Sequence, residues 1–224
     1  MATSTSTARR DRARPVDKHD ERRNQLAESA LATLGELGYA KTSLREIANN
    51  SDFSHGVVHY YFRDKFELIV YCVRYYKARC VRRYDDVVAD ATTADELLDG
   101  FAAKLRQTLR EEAPMHRLWY DLRNQSMFEE SLREAVTTID RTLEEMIWRV
   151  VSRYAELAGR EPVTGPAATY GLLDGLFQQA LLGYVAGDET ALETLSGQVH
   201  GLMPLLLRPA DRAGRTVPAP QSRS

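Results

Sequence analysis

Residues 42–65 combine several kinds of side chain that can hydrogen-bond another molecule. The stretch reads TSLREIANNSDFSHGVVHYYFRDK and offers hydroxyls, imidazoles, phenols and cations within 24 residues. Donors of this kind suit phosphate oxygens and the edges of DNA bases. The residue types therefore indicate binding of nucleic acid, and the elements that hold them decide whether that interpretation is sound.

The first half of the stretch has the signals of a short helix. Ser43 and Glu46 have the spacing of a capping box, which starts a helix. Leu44, Ile47 and Ala48 follow at intervals of three and four residues and form one apolar stripe. The next four residues are all turn formers, so the helix is expected to end there.

The second half predicts another short helix. Ser54 is a good N-cap residue, and the segment after it makes about two turns up to Phe62. Its helix propensity is poor, because it contains Gly56, two β-branched residues and three aromatic residues. Packing must therefore hold it, with Val58, Tyr61 and Phe62 on the buried side. Phe53 is expected to plug the angle between the two helices, and Asp64 to cap a third.

Two short helices around a tight turn form a helix-turn-helix, whose second helix enters the DNA major groove. The motif residues resemble those of the TetR family of transcriptional regulators over roughly residues 20–68. The resemblance rests on Gly38-Tyr39, Thr42-Ser43, Ile47-Ala48, the run from Ser54 to Phe62, and Lys65. Two departures stand out, since His59 replaces a tyrosine that touches phosphate in the family, and Asn50-Ser51-Asp52 replaces the usual small-residue turn.

The candidate DNA contacts follow from the motif together with this resemblance. Thr42, Tyr60 and Lys65 are expected to bind phosphates, and Arg45, His55, Val57 and His59 to reach base edges or the groove. The complete candidate set is Thr42, Ser43, Arg45, Ser54, His55, Gly56, Val57, His59, Tyr60 and Lys65. His55 and His59 also have the spacing of two metal ligands on a helix, but no carboxylate or cysteine nearby completes such a site. No metal and no cofactor are predicted.

The charge distribution is compatible with a small basic face and excludes a broad polycationic coat. Residues 1–65 contain 11 Lys or Arg and 9 Asp or Glu, a balance of +2. The remainder contains 30 − 11 = 19 Lys or Arg and 32 − 9 = 23 Asp or Glu, a balance of −4.

No apolar run is long enough for a membrane span, and no signal peptide is recognised, so a cytoplasmic protein is expected. Cys72 and Cys80 are too far apart on one helix to bridge each other. Buried thiols are the simpler interpretation, and an intersubunit disulfide or a redox sensor is the alternative.

The periodicity predicts an all-α protein of about nine helices. Residues 1–18 are interpreted as a disordered basic arm carrying Arg9, Arg10, Arg12 and Arg14, and residues 209–224 as a disordered tail. Between them, residues 19–66 form the DNA-binding domain and residues 67–208 a ligand-binding and dimerisation domain. The helices are predicted at 20–37, 65–90, 93–112, from 114 onward, 129–158, 165–186 and 188–207, beside the two in the motif.

The last two helices are candidates for a homodimer interface, as the resemblance implies. They would form a four-helix bundle with a two-fold mate and set two reading helices about one DNA turn apart. The alternative is that they complete the core of the single chain. The candidate interface residues are Leu173, Phe177, Leu181, Tyr184, Leu195, Val199 and Leu202.

A small-molecule cavity is predicted between the helices of the second domain. Aromatic residues with a few polar groups suit such a cavity, although each of these side chains could instead belong to the core or the surface. The candidates are His116, Trp119, Tyr120, Arg123, Asn124, Met127, Phe128, Met146, Tyr170, Asp174 and Gln178.

These expectations combine into a ligand-responsive transcriptional regulator, most simply a repressor of a pseudo-palindromic operator. The effector would shift the helix predicted at 65–90 and change the spacing of the two reading helices. Two alternatives remain open at this point. One is an architectural DNA-binding protein without a ligand. The other is a helical enzyme or small-molecule-binding protein, which would need a convergent acid–base or metal set that the sequence does not contain.

Overall fold

A computed structural model describes residues 15–209, and the chain divides into two compact units. Unit 1 comprises the chain up to Cys80 together with Pro114–Ile139, and unit 2 comprises Val81–Ala113 and the chain from Asp140 onward. The described residues form nine α-helices, so the all-α prediction is confirmed. They are α1 Pro15–Lys41, α2 Leu44–Asn49, α3 His55–Tyr61, α4 Lys65–Cys80, α5 Asp85–Asp90, α6 Ala94–Gln125, α7 Glu130–Leu157, α8 Pro166–Val185 and α9 Ala191–Leu202. A 3-10 turn follows at Met203–Leu206.

The first helix has its predicted end but begins earlier than expected. Gly38 leaves helical geometry with φ 76° and ψ 174°, a conformation essentially restricted to glycine. At the other end α1 starts at Pro15, inside the segment predicted as a disordered arm. The four arginines of that arm, like residues 210–224 of the predicted tail, lie outside the described residues.

The prediction of a single helix over 65–90 is wrong, because a turn at 81–84 separates α4 from α5. In unit 2 the Tyr84 ring is buried and meets the Phe101 ring edge-on at 5.0 Å between centroids. Asp85 and Asp86 then occupy the first turn of α5, where the helix dipole favours negative charge. The helix breaks here because Tyr84 is buried and because a new N-terminus places Asp85 and Asp86 where the helix dipole favours negative charge.

The helix boundary predicted between 112 and 114 is present as a kink within α6. Glu112 has φ −125° and ψ 22°, outside helical geometry. Pro114 has no N–H to donate and its ring crowds the preceding turn, which distorts a helix at this place. Thr93 and Glu96 form reciprocal hydrogen bonds at the start of α6, close to the predicted start of a helix at 93.

The last helices end or begin near the glycine, proline and aspartate residues that mark helix ends in the sequence. Gly159 and Gly187 have positive φ, of 62° and 89°, where α7 and α8 end. Asp188 accepts hydrogen bonds from Thr190 and so makes a turn, and α9 begins three residues later than predicted. Pro204 continues the chain as a 3-10 turn in place of the predicted helix end.

Each unit has its own apolar core. In unit 1, α1 packs against α4 and α2, and the core is formed by Leu26, Leu34, Ile47, Phe62, Leu68 and Ile69. In unit 2, α8 packs against α9, and the fully buried side chains include Leu97, Phe101, Leu109, Leu195 and Met203. Among residues 15–209, every helix is too short or too polar to span a bilayer.

Candidate DNA-binding surface

Reciprocal side-chain hydrogen bonds fix the start of α2. The Ser43 hydroxyl accepts a hydrogen bond from the Glu46 N–H at 3.2 Å, and the Glu46 carboxylate accepts one from the Ser43 N–H at 2.7 Å. Leu44 and Ile47 are buried below this capping box. The predicted capping box is confirmed, and it leaves Arg45 exposed on the opposite side of the helix.

The unusual turn between α2 and α3 is closed by its own side chains. The Ser51 hydroxyl donates to the Ala48 carbonyl at 3.2 Å and accepts from the Phe53 N–H at 3.2 Å. The Ser54 hydroxyl then accepts from the Val57 N–H at 3.4 Å and caps α3. Ser51 thus supplies hydrogen bonds in a turn where the TetR-like pattern has small apolar residues.

Packing holds α3 through Val58 and Phe62, two of the three residues predicted for its buried side, whereas Tyr61 is partly exposed. Val58 and Phe62 are fully buried, and the Phe62 ring meets the Tyr71 ring edge-on at 5.4 Å. The Arg23 guanidinium lies 4.8 Å from the Phe62 ring centroid and 4.4 Å from that of Tyr71. It is fixed there by Glu67 at 3.2 Å. A cation stacked between two rings and paired with a carboxylate compensates for the poor helix propensity of α3.

The opposite side of α3 is open. His55, Gly56, His59 and Tyr60 are exposed, and Tyr60 retains 75% of its accessible surface. The rings of His55 and His59 touch at 4.4 Å between centroids. At Gly56 the nearest atom that an added Cβ would meet is 4.0 Å away, so this stretch of backbone is accessible to a partner. The face offers imidazole and phenol hydrogen-bonding groups on a short helix.

Two predicted phosphate ligands are already engaged within the protein. Thr42 is only 2% exposed, and its hydroxyl donates to the Gly38 carbonyl at 2.8 Å. The Lys65 ammonium donates to the Tyr39 carbonyl and lies 4.3 Å from the centroid of the Tyr39 ring. Burial lowers the pKa of Lys65, and the carboxylates of Glu46 and Asp121 oppose that shift. Both side chains therefore shape the support of the surface, and their contact with phosphate stays a prediction.

Two residues of α1 join this surface although the sequence did not indicate them. The His19 ring lies 4.9 Å from the Tyr61 ring and 6.5 Å from the Tyr60 ring. The Arg22 guanidinium lies 4.8 Å from the centroid of Phe53. The signal is tertiary, since only the packing of α1 beside α3 brings these cationic and aromatic groups together. Phe53, expected as a plug, is partly exposed below Arg22.

The predicted ligand residues of unit 1 divide between core and surface. His116, Trp119 and Tyr120 are buried, whereas Met127 and Phe128 are 66% and 83% exposed. Arg123 is partly buried and Asn124 is exposed. The Lys77 ammonium, itself buried, lies 4.8 Å from the Trp119 ring centroid. The Trp119 indole N–H meets no hydrogen-bond acceptor among the described residues.

The predicted ligand residues of unit 2 are Met146, Tyr170, Asp174 and Gln178. Met146 and Tyr170 are buried, and the Tyr170 hydroxyl donates to Asp140 at 2.7 Å. Asp174 and Gln178 are partly exposed.

A cleft of about 360 Å³ lies elsewhere, in unit 1, and contains none of the predicted ligand residues. It is lined by Arg23, Arg63, Phe66, Glu67, Val70, Tyr71, Arg74, Ser131, Glu134 and Ala135.

Most residues proposed for the dimer interface are buried within the chain. This applies to Leu173, Phe177, Leu181, Leu195 and Val199, while Tyr184 and Leu202 are partly exposed. The exposed apolar side chains of this region are Leu172, Leu182, Val185 and Leu205. The apolar residues of α8 thus divide between the core and an exposed face, whereas those of α9 are buried or partly exposed.

The described residues contain no group of three or more His, Cys, Asp or Glu placed to hold a metal ion. Cys72 and Cys80 are both buried thiols, and the Cys72 thiol points at the Ala27 carbonyl at 3.6 Å. Burial raises the pKa of Cys72 well above the ordinary range, so this thiol is held in its unreactive neutral form.

Comparison with known proteins agrees with this surface. The family model "Bacterial regulatory proteins, tetR family" matches residues 26–72. The HTH-type transcriptional regulator BetI of Burkholderia mallei (strain NCTC 10229) is 30% identical over 189 residues, covering 81% of this chain and 93% of the relative.

Solved structures share the fold at lower identity. FadR from Bacillus subtilis, in complex with stearoyl-CoA, has a TM-score of 0.66 at 17% identity, over 80% of this chain and 96% of its own. A chain described as a transcriptional regulator from Saccharomonospora viridis, in complex with choline, has a TM-score of 0.65 at 17% identity, over 85% of this chain and 100% of its own.

Proposed function

This chain belongs to the tetR family of bacterial regulatory proteins, and from that premise we propose that it is a homodimeric repressor released from its operator by a small molecule. Membership of the family also means that the chain is a transcriptional regulator and not an enzyme. The operator would be pseudo-palindromic, since a two-fold dimer presents two copies of α3 to successive turns of the major groove.

The observation that carries the proposal is the exposed face of α3. A seven-residue helix with poor propensity is capped by Ser54, anchored by Val58, and leaves His55, His59 and Tyr60 exposed. Imidazole and phenol groups can donate to phosphates and base edges without adding charge. Specific contacts would thus come mainly from α3 and from Arg45 on α2.

Homodimerisation is proposed through the uncovered face of α8 and α9. Leu172 and Leu182 are exposed on α8, and Leu182 retains 66% of its accessible surface. Gly171 and Gly175 on α8, like Gly197 and Gly201 on α9, have no atom within 4 Å of an added Cβ. Glycines facing open space let the backbones of a partner's helices approach closely, and the leucines between them would supply apolar area.

The effector is proposed to bind beside Trp119. The indole ring is 2% exposed and its N–H lacks an acceptor among the described residues. A buried unpaired donor costs about 1–3 kcal/mol, and a ligand oxygen would recover that cost. The two structural neighbours hold ligands of unlike chemistry, stearoyl-CoA and choline, so they supply no common ligand for this chain.

The first experiment measures binding to the DNA immediately upstream of the protein's own gene. Wild type and Tyr60→Ala would be titrated against that duplex and against a scrambled duplex of equal composition, over a salt series. We expect tight, selective binding by wild type and loss of that tight binding in the variant, because a predicted phosphate contact is removed. Tyr60 is largely exposed, so the free energy of unfolding of the variant should stay within about 0.5 kcal/mol of wild type.

The control separates a regulator from an architectural DNA-binding protein. An architectural protein would bind both duplexes with equal affinity and equal salt slope, since phosphate attraction alone is independent of sequence. That result with the natural duplex, repeated with fragments from neighbouring genes, would refute the proposed repressor. Selective binding would provide the complex with which candidate effectors are then screened for release.

A further inference from the structure

The peptide of Tyr39 is held from both sides by charged side chains of two other helices. Its N–H donates to the Asp121 carboxylate of α6 at 2.8 Å. Its carbonyl accepts a hydrogen bond from the Lys65 ammonium at the start of α4. We call Asp121, Tyr39 and Lys65 the Tyr39 clamp. All three belong to unit 1, and both hydrogen bonds are charge-assisted, the stronger kind in proteins.

The clamp sits on the turn that leads into the helix-turn-helix. Gly38, next to Tyr39, has φ 76° and ψ 174°, and the Thr42 hydroxyl donates to its carbonyl at 2.8 Å. Ser43 then caps α2. The direction in which the chain enters α2, and with it the position of α3, therefore depends on a turn whose geometry is unusual and externally supported.

The same part of α6 supports the end of α1 at further points. The Arg117 guanidinium donates to the carbonyls of Gly35 and Glu36 at 3.4 Å. A Cβ on Gly35 would lie 2.4 Å from Met115 and 3.0 Å from Pro114, so glycine permits a close approach of α1 to α6 here. The stretch of α6 from Pro114 to Asp121 is thus in contact with the C-terminal end of α1.

We propose that Asp121 is a positioning residue for DNA recognition, because its carboxylate holds the Tyr39 peptide on the turn that leads into α2 and α3. The proposal rests on the proposed repressor function. His116 and Trp119, buried candidates for effector contact, lie on the same stretch of α6, five and two residues before Asp121.

The experiment compares Asp121→Ala with Asp121→Asn. Alanine removes the acceptor, whereas asparagine keeps an acceptor oxygen of the same reach without the charge. Asp86→Ala, an exposed aspartate on α5, is the control for the change in net charge. Affinity for the duplex upstream of the gene and for the scrambled duplex is measured by fluorescence anisotropy, together with thermal unfolding to confirm that each variant is folded.

A second readout reports on the clamp directly. The chain contains 11 tyrosines, so selective 15N-tyrosine labelling gives a backbone amide spectrum simple enough to assign by substitution. Exchange of the Tyr39 amide hydrogen is slow while it is bonded to Asp121 and fast once that bond is lost.

We expect Asp121→Ala to lose selective DNA binding by tenfold or more and to exchange the Tyr39 amide faster, while Asp121→Asn and Asp86→Ala stay within threefold of wild type. Unchanged selective affinity in folded Asp121→Ala, or equal losses in the alanine and asparagine variants with unchanged Tyr39 exchange, would overturn the inference. If wild type itself fails to distinguish the duplexes, the repressor proposal fails instead, and the Tyr39 exchange still decides whether the clamp exists.

Discussion

Replacing Gly38 by alanine tests the support of the helix-turn-helix from the side of the backbone. Gly38 has φ 76° and ψ 174°. Residues other than glycine adopt this backbone conformation only with strain of about 1–3 kcal/mol. A Cβ at this position would also lie 3.2 Å from the Asp121 carboxylate oxygen. We therefore expect Gly38→Ala to lower the free energy of unfolding by about 2–3 kcal/mol, toward the upper end of that range because the carboxylate must shift as well.

Urea unfolding at one fixed protein concentration measures this change, since the stability of a dimer depends on concentration. Gly159→Ala is the matched control, because Gly159 also has positive φ, of 62°, but no atom within 4 Å of an added Cβ. It should cost about 1–2 kcal/mol, the conformational part alone.

A double-mutant cycle separates strain from the clash with the carboxylate. In an Asp121→Ala background the Cβ introduced by Gly38→Ala meets no carboxylate, so the two changes should be less than additive by about 0.5–1 kcal/mol. An unfolding free energy of Gly38→Ala equal to wild type would refute the assignment of a strained turn. Strict additivity with Asp121→Ala would refute the steric part of the reasoning.

Three further substitutions test the candidate DNA-binding surface, the proposed dimer interface and the dependence of stability on pH. Arg45→Ala should reduce discrimination between operator and scrambled duplex by about 1–3 kcal/mol, whereas Arg82→Ala, an exposed arginine in unit 2, should leave it unchanged in anisotropy titrations. Leu182→Glu should yield folded monomers in sedimentation velocity and weaken DNA binding, and a persistent dimer would contradict the proposed interface. The hydrogen bond to Asp99 raises the pKa of His200. The contribution of this pair to the free energy of unfolding is therefore present below about pH 6 and is lost as the pH rises through the raised pKa of His200. Thermal unfolding from pH 5.5 to 8.5 should show a smaller pH dependence in Asp99→Asn, with a modest effect because the His200 side chain is 39% exposed.

Features set by neighbouring residues in the sequence were predicted well. The Ser43 capping box and the Ser54 cap depend on contacts three residues away, and Gly38, Gly159 and Gly187 end helices through their own backbone freedom. Such signals are local, so the sequence contains all of the information they need. The all-α fold and most helix ends follow from them.

Features set by distant residues were not predictable in this way. The break between α4 and α5 depends on burial of Tyr84 against Phe101, seventeen residues further along the chain. The spacing of apolar residues across 65–90 does not indicate that contact, because an apolar residue at a helical interval can belong either to a long helix or to a turn.

The same limit applies to the roles of polar and apolar residues in the sites. Lys65 has the residue type of a phosphate ligand, but the structure directs its ammonium to the Tyr39 carbonyl. The stripes on α8 and α9 indicated apolar faces correctly, yet Leu173 and Leu195 are buried by the chain itself while Leu182 is exposed. Side-chain chemistry predicts what a residue can bind, and tertiary packing decides what it meets.

The weakness of α3 as a helix ties recognition of DNA to the stability of its support. A helix of seven residues with Gly56 and two valines would not form alone, so its geometry is set by Val58 and Phe62 in the core. Phe62 contacts Arg23 of α1 and Tyr71 of α4. These two helices pack together, and α6 holds their ends through the Tyr39 clamp. A loss of packing energy anywhere in these helices raises the population of states in which α3 is misplaced. Affinity for DNA should therefore fall with core substitutions that touch no nucleotide.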